Sequence, residues 1–219
     1  MISLSNISKT YSNNGIKNIV IDDVNFEFPV DRNVAIMGKN GAGKSTLMRL
    51  IAGAEQPDRG RIFRSSKISW PLGFSGGFNG SMTGTQNIIF VSRIYGQDIP
   101  RVIDYVKEFS ELGDFLRQPI KTYSSGMKAR LAFGLSMAID FDTYLIDEIT
   151  AVGDANFKKK SQAVFKDRLK NSQIIMVSHS IGTLREYCDC GVLLDKGKFR
   201  FYETMEELFS AYDAVNANG

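Results

Sequence analysis

The sequence predicts an α/β fold built on a mostly parallel sheet, and three observations lead to that prediction. Short apolar runs that do not alternate with polar residues are typical of strands covered on both faces. Segments with apolar residues at helical spacing lie between these runs. The chain has 219 residues, 43% hydrophobic and 23% charged, which is enough to bury an ordinary core. Strands that alternate with helices favour an α/β architecture.

Each predicted element rests on its own local pattern. The four apolar runs that predict parallel strands are 34–37, 144–146, 174–177 and 192–194. Three apolar helix faces are formed by Leu47, Leu50 and Ile51, by Leu131, Leu135, Ala138 and Ile139, and by Met205, Leu208, Phe209 and Tyr212. Residues 2–9 and 19–28 are rich in β-branched and aromatic residues and flank an Asn13-Asn14-Gly15 turn signal. This predicts an antiparallel β subdomain at the N-terminus.

The middle of the chain, about 71–133, predicts a helical subdomain inserted in the α/β core. It opens with a glycine-rich stretch at 73–80 and continues with helix-like segments at 85–95 and 99–110. We therefore expect residues 1–219 to form a single domain with this insertion.

Composition excludes several classes of function. The 27 basic and 24 acidic residues leave a net charge of +3, too weak a balance to indicate nucleic-acid binding. His179 is the only histidine, which excludes a metal centre built from several histidines. No apolar stretch approaches the roughly 18 residues of a membrane span, and no secretory signal is visible. We expect a soluble chain that another protein would hold at any membrane where it works.

One motif predicts nucleotide chemistry. The segment Gly38-Lys39-Asn40-Gly41-Ala42-Gly43-Lys44-Ser45 matches G-x-x-x-x-G-K-[ST], after a buried strand and before a helix. Glycines let the backbone wrap phosphates, and the helix N-terminus adds its positive dipole end. Lys44 is expected to reach the β- and γ-phosphates, and Ser45 to ligate Mg²⁺. The alternative is a glycine-rich turn that contains Lys-Ser by chance, which the strand-loop-helix context disfavours.

An acidic pair ends the apolar run at 143–146. Asp147 is predicted to lie beside the phosphate loop, where it holds Mg²⁺ through water. Glu148 follows and is predicted to polarise the attacking water. Taken alone, the pair is also compatible with a charged strand end, and the phosphate loop 100 residues earlier favours the catalytic interpretation.

A second glycine-serine segment precedes another amphipathic helix. Ser124, Ser125 and Gly126 form a potential anion site at a helix N-terminus, although a simple serine N-cap explains the same residues. This order of motifs resembles the ATP-binding-cassette (ABC) family, whose serine-glycine signature touches ATP on the partner subunit. The segment departs from the common L-S-G-G-Q, since Tyr123 replaces Leu, Ser125 the first Gly and Met127 the Gln.

The resemblance covers essentially the whole chain and implies further roles. Asp154 matches the loop aspartate that communicates across the dimer, and His179 matches the switch histidine that contacts the γ-phosphate. Tyr11 matches the aromatic residue that stacks on adenine, and Thr46 belongs with the phosphate loop. The glutamine that usually opens the helical insertion is missing, since Gln86 comes too late in the chain.

The motifs also resemble one branch of the family, the exporters of surface polysaccharides. The segments that carry this likeness are Leu72-Gly73-Phe74 with Gly77-Phe78, Met82-Thr83-Gly84, Asn87-Ile88, residues 123–127 and residues 149–154. The short span after the last helical pattern favours capsular polysaccharide export. O-antigen and teichoic acid exporters, which often carry an extra C-terminal domain, stay open as alternatives.

The resemblance implies ATP and Mg²⁺ as cofactors and a head-to-tail homodimer. It also implies a transmembrane permease as partner and residence at the cytoplasmic face of the bacterial inner membrane, with no nucleic acid and no direct contact to the polysaccharide. Two other classes compete with this interpretation. A non-transport cassette usually joins two cassettes or inserts a coiled coil, and a small-molecule kinase would not carry the signature and switch histidine together.

Overall fold

The computed structural model of the protein describes residues 1–13, 16–72, 77–147 and 155–217. Its strands are β1 (Ile2–Asn13), β2 (Ile16–Glu27), β3 (Val34–Met37), β4 (Arg59–Arg64), β5 (Thr143–Asp147), β6 (Gln173–Val177), β7 (Cys190–Asp195) and β8 (Lys198–Tyr202). Its α-helices are α1 (Lys44–Ala52), α2 (Gly84–Ile94), α3 (Ile99–Ser110), α4 (Ser125–Ala138), α5 (Ala155–Leu169), α6 (Ile181–Tyr187) and α7 (Met205–Ala217). Two 3-10 helices, Gly113–Arg117 and Ile120–Thr122, lie between α3 and α4.

A five-stranded sheet confirms the predicted fold class. Its strand order is β5-β6-β3-β7-β8, with the first four strands parallel and β8 antiparallel to β7. The four apolar runs of the sequence all lie in its parallel strands. Val34, Ala35 and Ile36 of β3 are completely buried. Burial on both faces explains why these runs do not alternate with polar residues.

The N-terminal antiparallel sheet is also confirmed, with longer strands than the sequence predicted. Its order is β2-β1-β4. The β1–β2 ladder extends past the apolar residues to the pair Asn13 and Ile16, because main-chain hydrogen bonds do not require apolar side chains. Strand β4, which reads Arg-Gly-Arg-Ile-Phe-Arg, was not predicted. It is an exposed edge strand, and its charged residues hide the apolar pattern of a strand.

Helix α1 packs its apolar face into the core of the sheet. Leu47, Leu50 and Ile51 have no exposed surface, and they share a cluster with Val34 and Leu145. Full burial of one such side chain contributes about 1.5–3 kcal/mol relative to exposure. This packing anchors the helix that follows the phosphate loop, and therefore anchors the loop itself.

The chain folds into two compact units. The first unit contains Met1–Pro71, Asp142–Glu148 and Ser172–Gly219, and it holds both sheets. The second unit contains Leu72–Phe141 and Ile149–Asn171 and is helical in its described part.

Local sequence signals explain where the helices of the second unit begin. The Thr83 hydroxyl accepts the Gln86 N–H at 3.1 Å, while the Gln86 side chain accepts the Thr83 N–H at 2.8 Å. This capping box starts α2 and gives Gln86 a structural role. Asp98 caps α3 by accepting the Arg101 N–H at 2.8 Å. The helices predicted at 85–95 and 99–110 are thus confirmed to within one residue.

Aromatic rings form the centre of the second unit. The Phe109 ring stacks on Phe133 at a centroid distance of 5.8 Å and meets the Phe157 ring edge-on at 5.4 Å. Helices α3 and α4 approach closely at Gly134, where an added Cβ would lie 3.2 Å from Phe109 Cδ1. The glycine therefore permits the close approach of the two helices.

Candidate functional site

The loop between β3 and α1 is shaped by glycines that this fold requires. Gly43, the N-cap of α1, has φ 105°, and an added Cβ would lie 2.2 Å from Val20 Cγ1. Gly41 also has a positive φ of 80°. Such angles are strained for residues with a Cβ. No side chain caps α1, so its first N–H groups are available to an anion.

Lys44 lies at the centre of this loop. Its Nζ donates to the Gly38 carbonyl at 2.7 Å and to the Lys39 carbonyl at 3.0 Å. Burial lowers the pKa of Lys44, and the charge of Asp147 partly opposes that effect. The loop therefore curls around an ammonium group, while Asn40, Gly41 and Ser45 lie at its exposed surface.

The acidic strand β5 brings Asp147 to the same edge of the sheet. Asp147 pairs with Val177 of the parallel strand β6, which lies between β5 and β3. The carboxyl ends of these parallel strands meet at one edge, and the Asp147 carboxylate interacts electrostatically with Lys44. Glu148 and Asp154, as well as the rest of the loop at 151–153, lie outside the described residues.

His179 also lies at this edge, between β6 and α6. The Ser178 hydroxyl accepts the Ser180 N–H at 3.1 Å, and Ser180 in turn caps α6 by accepting the Thr183 N–H at 3.2 Å. His179 is exposed, and it lines one pocket with Gly38, Lys44 and Ser178. The structure thus brings the predicted histidine and the phosphate loop together.

Tyr11, near the end of β1, reaches the phosphate-loop helix from the other sheet. Its hydroxyl lies 3.5 Å from the Thr46 hydroxyl and donates to Glu55 at 2.7 Å. Thr46 itself is buried, and the Tyr11 side chain is 37% exposed. The structure therefore brings the predicted base-stacking residue next to the helix that begins at Lys44.

The signature residues lie in the second unit, at the start of α4. The Ser124 hydroxyl accepts the Met127 N–H at 3.2 Å, which confirms that Ser124 is an N-cap. Ser124 and Ser125 are exposed, whereas Tyr123 is buried and donates its hydroxyl to the Phe115 carbonyl. The segment is thus a second exposed helix N-terminus in the chain.

Sequence reasoning missed three residues near the phosphate loop. Arg49 and Glu55 contact Tyr11, and Tyr212 of α7 lines the pocket that contains Lys44. The sequence predicted Tyr212 on an apolar helix face with Met205, Leu208 and Phe209, and in the structure Tyr212 is half-buried. Arg49 and Glu55 are polar residues outside any motif, so the sequence carried no signal for them.

Two adjacent elements of the second unit carry exposed apolar residues. Phe90 and Ile94 are one helical turn apart on α2 and are 51% and 61% exposed, and Phe115 of the adjacent 3-10 helix is 56% exposed. Tyr95, by contrast, packs edge-on against Phe141 at 5.1 Å. Phe74, which belongs to the segments that resemble polysaccharide exporters, lies outside the described residues.

Within the described part of the chain, no helix combines the length and hydrophobicity that crossing a membrane requires. In the same part, no group of three or more His, Cys, Asp or Glu residues is arranged to hold a metal ion by itself.

Comparisons with known proteins show the family of the chain. A family model described as ABC transporter matches residues 21–151. The polysialic acid transport ATP-binding protein KpsT of Escherichia coli is 51% identical over 215 residues, which cover 97% of this chain and 98% of that protein. The capsule polysaccharide export ATP-binding protein CtrD of Neisseria meningitidis serogroup B is 47% identical over 98% of this chain and 100% of that protein.

Solved structures support the same fold. The dimeric post-hydrolysis state of an ATP-binding cassette bound to ADP and Pi matches with a TM-score of 0.73 and 20% identity, over 93% of this chain and 98% of that one. Together with the family match and the near full-length relatives, this establishes that the chain belongs to the ABC transporter family as one of its ATPase cassettes.

Proposed function

We propose that the chain is the ATP-hydrolysing subunit of a transporter that exports capsular polysaccharide across the bacterial inner membrane. The observation that carries the cargo class is the 51% identity to a polysialic acid transport protein over 97% of this chain. Polysialic acid transport and capsule export are the functions for which those relatives are named, and the proposal extends them to this chain.

ATP binding rests on the phosphate loop. Backbone N–H groups of residues 38–46 surround the phosphates, and the Lys44 ammonium exchanges its Gly38 and Lys39 carbonyl partners for phosphate oxygens. A hydroxyl from Ser45 and a carboxylate from Asp147 are the hard oxygen donors that Mg²⁺ prefers. The electrostatic interaction between Asp147 and Lys44 supports placing both groups at one site, so these residues fit the ion.

Hydrolysis is assigned to Glu148 and His179. Glu148, which follows Asp147, polarises the attacking water, and His179 contacts the γ-phosphate. His179 and Lys44 line the same pocket, which supports that role for the histidine.

The ATP site is completed by a second copy of the chain. Ser124, Ser125 and Gly126 form an exposed helix N-terminus in the second unit, whereas Lys44 belongs to the first. We assign the signature residues to the ATP bound by the partner copy, with Asp154 communicating between the two sites. Binding of ATP then stabilises a closed homodimer, and hydrolysis releases it.

A membrane-embedded permease is the second partner. Phe90 and Ile94 expose apolar side chains one turn apart on α2, and Phe115 exposes another on the adjacent 3-10 helix, which is costly unless another protein covers them. We place the contact with the permease there, within the helical subdomain at about 71–133. This contact holds the chain at the cytoplasmic face of the inner membrane, and the polysaccharide does not touch the chain.

The test is restoration of capsule export. A capsulated bacterium that lacks its own export ATP-binding subunit receives this chain together with the permease that co-purifies with it. Capsule is expected to return to the cell surface with the parent chain and not with Lys44→Ala. Rescue of a teichoic acid or O-antigen export mutant, without rescue of capsule, would overturn the cargo assignment and leave the ATPase assignment standing.

A further inference from the structure

The hydroxyl of Tyr11 is held by a charged network that no motif explains. Tyr11 Oη lies 2.7 and 2.8 Å from the two carboxylate oxygens of Glu55 and shares its single proton between them. Arg49 Nη2 donates to the same hydroxyl at 3.1 Å, and Arg49 Nε donates to Glu55 at 3.1 Å. Lys9 Nζ adds an ion pair to Glu55 at 3.1 Å. Glu55 and Arg49 therefore bond the phenol directly, and Lys9 bonds Glu55.

The network keeps Glu55 ionised. Burial would raise the pKa of Glu55, but hydrogen bonds from Tyr11, Lys9 and Arg49 outweigh this effect and lower the pKa. Charge-assisted hydrogen bonds are stronger and shorter than those between neutral groups. The carboxylate is therefore a firm anchor for the Tyr11 hydroxyl across the pH range in which cells live.

The same network connects the tyrosine to the phosphate-loop helix. Arg49 lies one turn after Thr46 on α1, and its Nη2 also donates to the Thr46 hydroxyl at 3.1 Å. One guanidinium thus bonds both the Tyr11 hydroxyl and the Thr46 hydroxyl of the helix that begins at Lys44. Glu55 lies just beyond the end of α1, so both partners of Tyr11 move with that helix.

We propose that Glu55 and Arg49 are positioning residues for nucleotide binding, which fix the Tyr11 ring at the distance from the phosphate loop that adenine stacking requires. The inference rests on the proposed ATP binding and on the stacking role of Tyr11. An unanchored tyrosine on an exposed strand end samples several rotamers and loses that freedom when the base binds, whereas the anchored ring has already lost it. The anchor thus contributes to affinity for the base and not to affinity for the phosphates.

The test compares a ligand that carries adenosine with one that consists of phosphates alone. The dissociation constants of the non-hydrolysable analogue AMP-PNP and of inorganic tripolyphosphate are measured for the parent chain, Tyr11→Ala, Tyr11→Phe, Glu55→Ala and Arg49→Lys. Loss of the ring in Tyr11→Ala is expected to weaken AMP-PNP binding about 10-fold, because stacking on an aromatic ring contributes about 1–3 kcal/mol per base. Tyr11→Phe, Glu55→Ala and Arg49→Lys are each expected to weaken it about 3-fold, with tripolyphosphate unchanged.

Two further variants make the comparison specific. The double variant Tyr11→Phe/Glu55→Ala is expected to bind no more weakly than either single variant, because both remove the same anchor. Asp58→Asn is the matched control, since Asp58 bonds Lys9 and the Thr10 N–H in the same loop without touching Tyr11. It is expected to bind both ligands like the parent. Tyr11→Phe removes a single hydroxyl, so it supplies the same measurement if Glu55→Ala folds poorly.

Each unfavourable outcome has its own meaning. If Tyr11→Ala binds AMP-PNP as the parent does, the stacking role that the family resemblance implies for Tyr11 is wrong. If Tyr11→Ala weakens binding but Tyr11→Phe, Glu55→Ala and Arg49→Lys do not, the positioning inference alone is overturned. A parallel loss of tripolyphosphate affinity would also overturn it, because the network would then support the phosphate loop rather than the base.

Discussion

Two helix N-termini in this chain are proposed to meet ATP phosphates, one in the chain's own site and the other in the site of a partner copy, and the structure builds them under different constraints. At the start of α1, Gly43 has a left-handed backbone, and an added Cβ would collide with Val20. At the start of α4, the nearest atom to an added Cβ on Gly126 is the Ser124 hydroxyl, 3.9 Å away. The chain's own fold therefore requires glycine at 43 and does not require it at 126.

This difference indicates where each anion site is completed. The phosphate loop is shaped by its own chain, through buried β3, the apolar face of α1 and strained glycines. The signature helix has an ordinary serine N-cap and open space beside its glycine. A need for glycine at 126 would thus come from a surface outside this chain, which is consistent with the proposed second copy.

The largest effect is expected from removing the charge inside the phosphate loop. Lys44→Ala deletes the ammonium that the loop surrounds, and phosphate release should fall about 100- to 1000-fold, as for loss of one preorganised electrostatic group. Lys67→Ala, which removes an exposed lysine from the same unit, is the control and should release phosphate at the parental rate. Parental turnover in Lys44→Ala would contradict the proposed nucleotide site.

The glycine comparison can be tested directly by substituting alanine at each helix start. Gly43→Ala should lower the free energy of unfolding by about 2–4 kcal/mol, because the new Cβ meets both a positive φ and a close neighbour. Gly126→Ala should leave the free energy of unfolding, measured with urea, within about 1 kcal/mol of the parent, because alanine favours helices. The same variant should lower ATP turnover about 10-fold. Equal losses of stability in both variants would show that the two sites are not built differently.

The phosphate loop could be predicted from the sequence because all of its residues are consecutive in the chain. Eight consecutive residues supply the glycines, the lysine and the hydroxyl, so no long-range pairing has to be known. The parallel strands were equally predictable, because burial on both faces leaves an uninterrupted apolar run in the sequence. These features were predictable because each depends on neighbours in the chain.

The contacts around Tyr11 were not predictable for the opposite reason. Tyr11 lies near the end of β1, and Glu55 lies in the loop after α1, 44 residues later in the chain. A contact between residues so far apart leaves no periodic trace in the sequence. Edge strand β4 was missed as well, because five of its six residues are exposed and three are arginines.

The exposed apolar residues of the second unit are proposed to contact the permease, and that proposal can be tested. Phe90→Ser should lower capsule export about 10-fold, as for a central interface residue, while ATP binding by the isolated chain persists. Val30→Ser is a matched control, because Val30 is similarly exposed but lies in the first unit. Loss of ATP binding together with export in Phe90→Ser would assign that ring to the unit's own stability.

The proposed second copy can be tested by mixing two inactive variants. In a mixed dimer of Lys44→Ala and Ser124→Arg chains, one composite site keeps Lys44 from one chain and Ser124 from the other. Random pairing makes half of the dimers mixed, so about a quarter of the parental turnover should return. If Lys44 and Ser124 of one chain served the same ATP, mixing would restore no activity.

A last prediction concerns the parallel sheet that holds the phosphate loop. Cys190 of β7 pairs with Val34 of β3, and burial raises the pKa of Cys190 to about 11 and that of Cys188 to about 12, from 9.0. The folded chain therefore keeps both protons at pH 9–11 while the unfolded chain releases them, so stability should fall as pH rises through that range. Two ionising thiols set the slope at no more than about 3 kcal/mol per pH unit. Urea unfolding of the parent chain and of the control Cys188→Ala/Cys190→Ala, measured at several pH values, checks the sign of this change. If the free energy of unfolding of the control falls with pH as steeply as that of the parent, the assignment to these thiols is wrong.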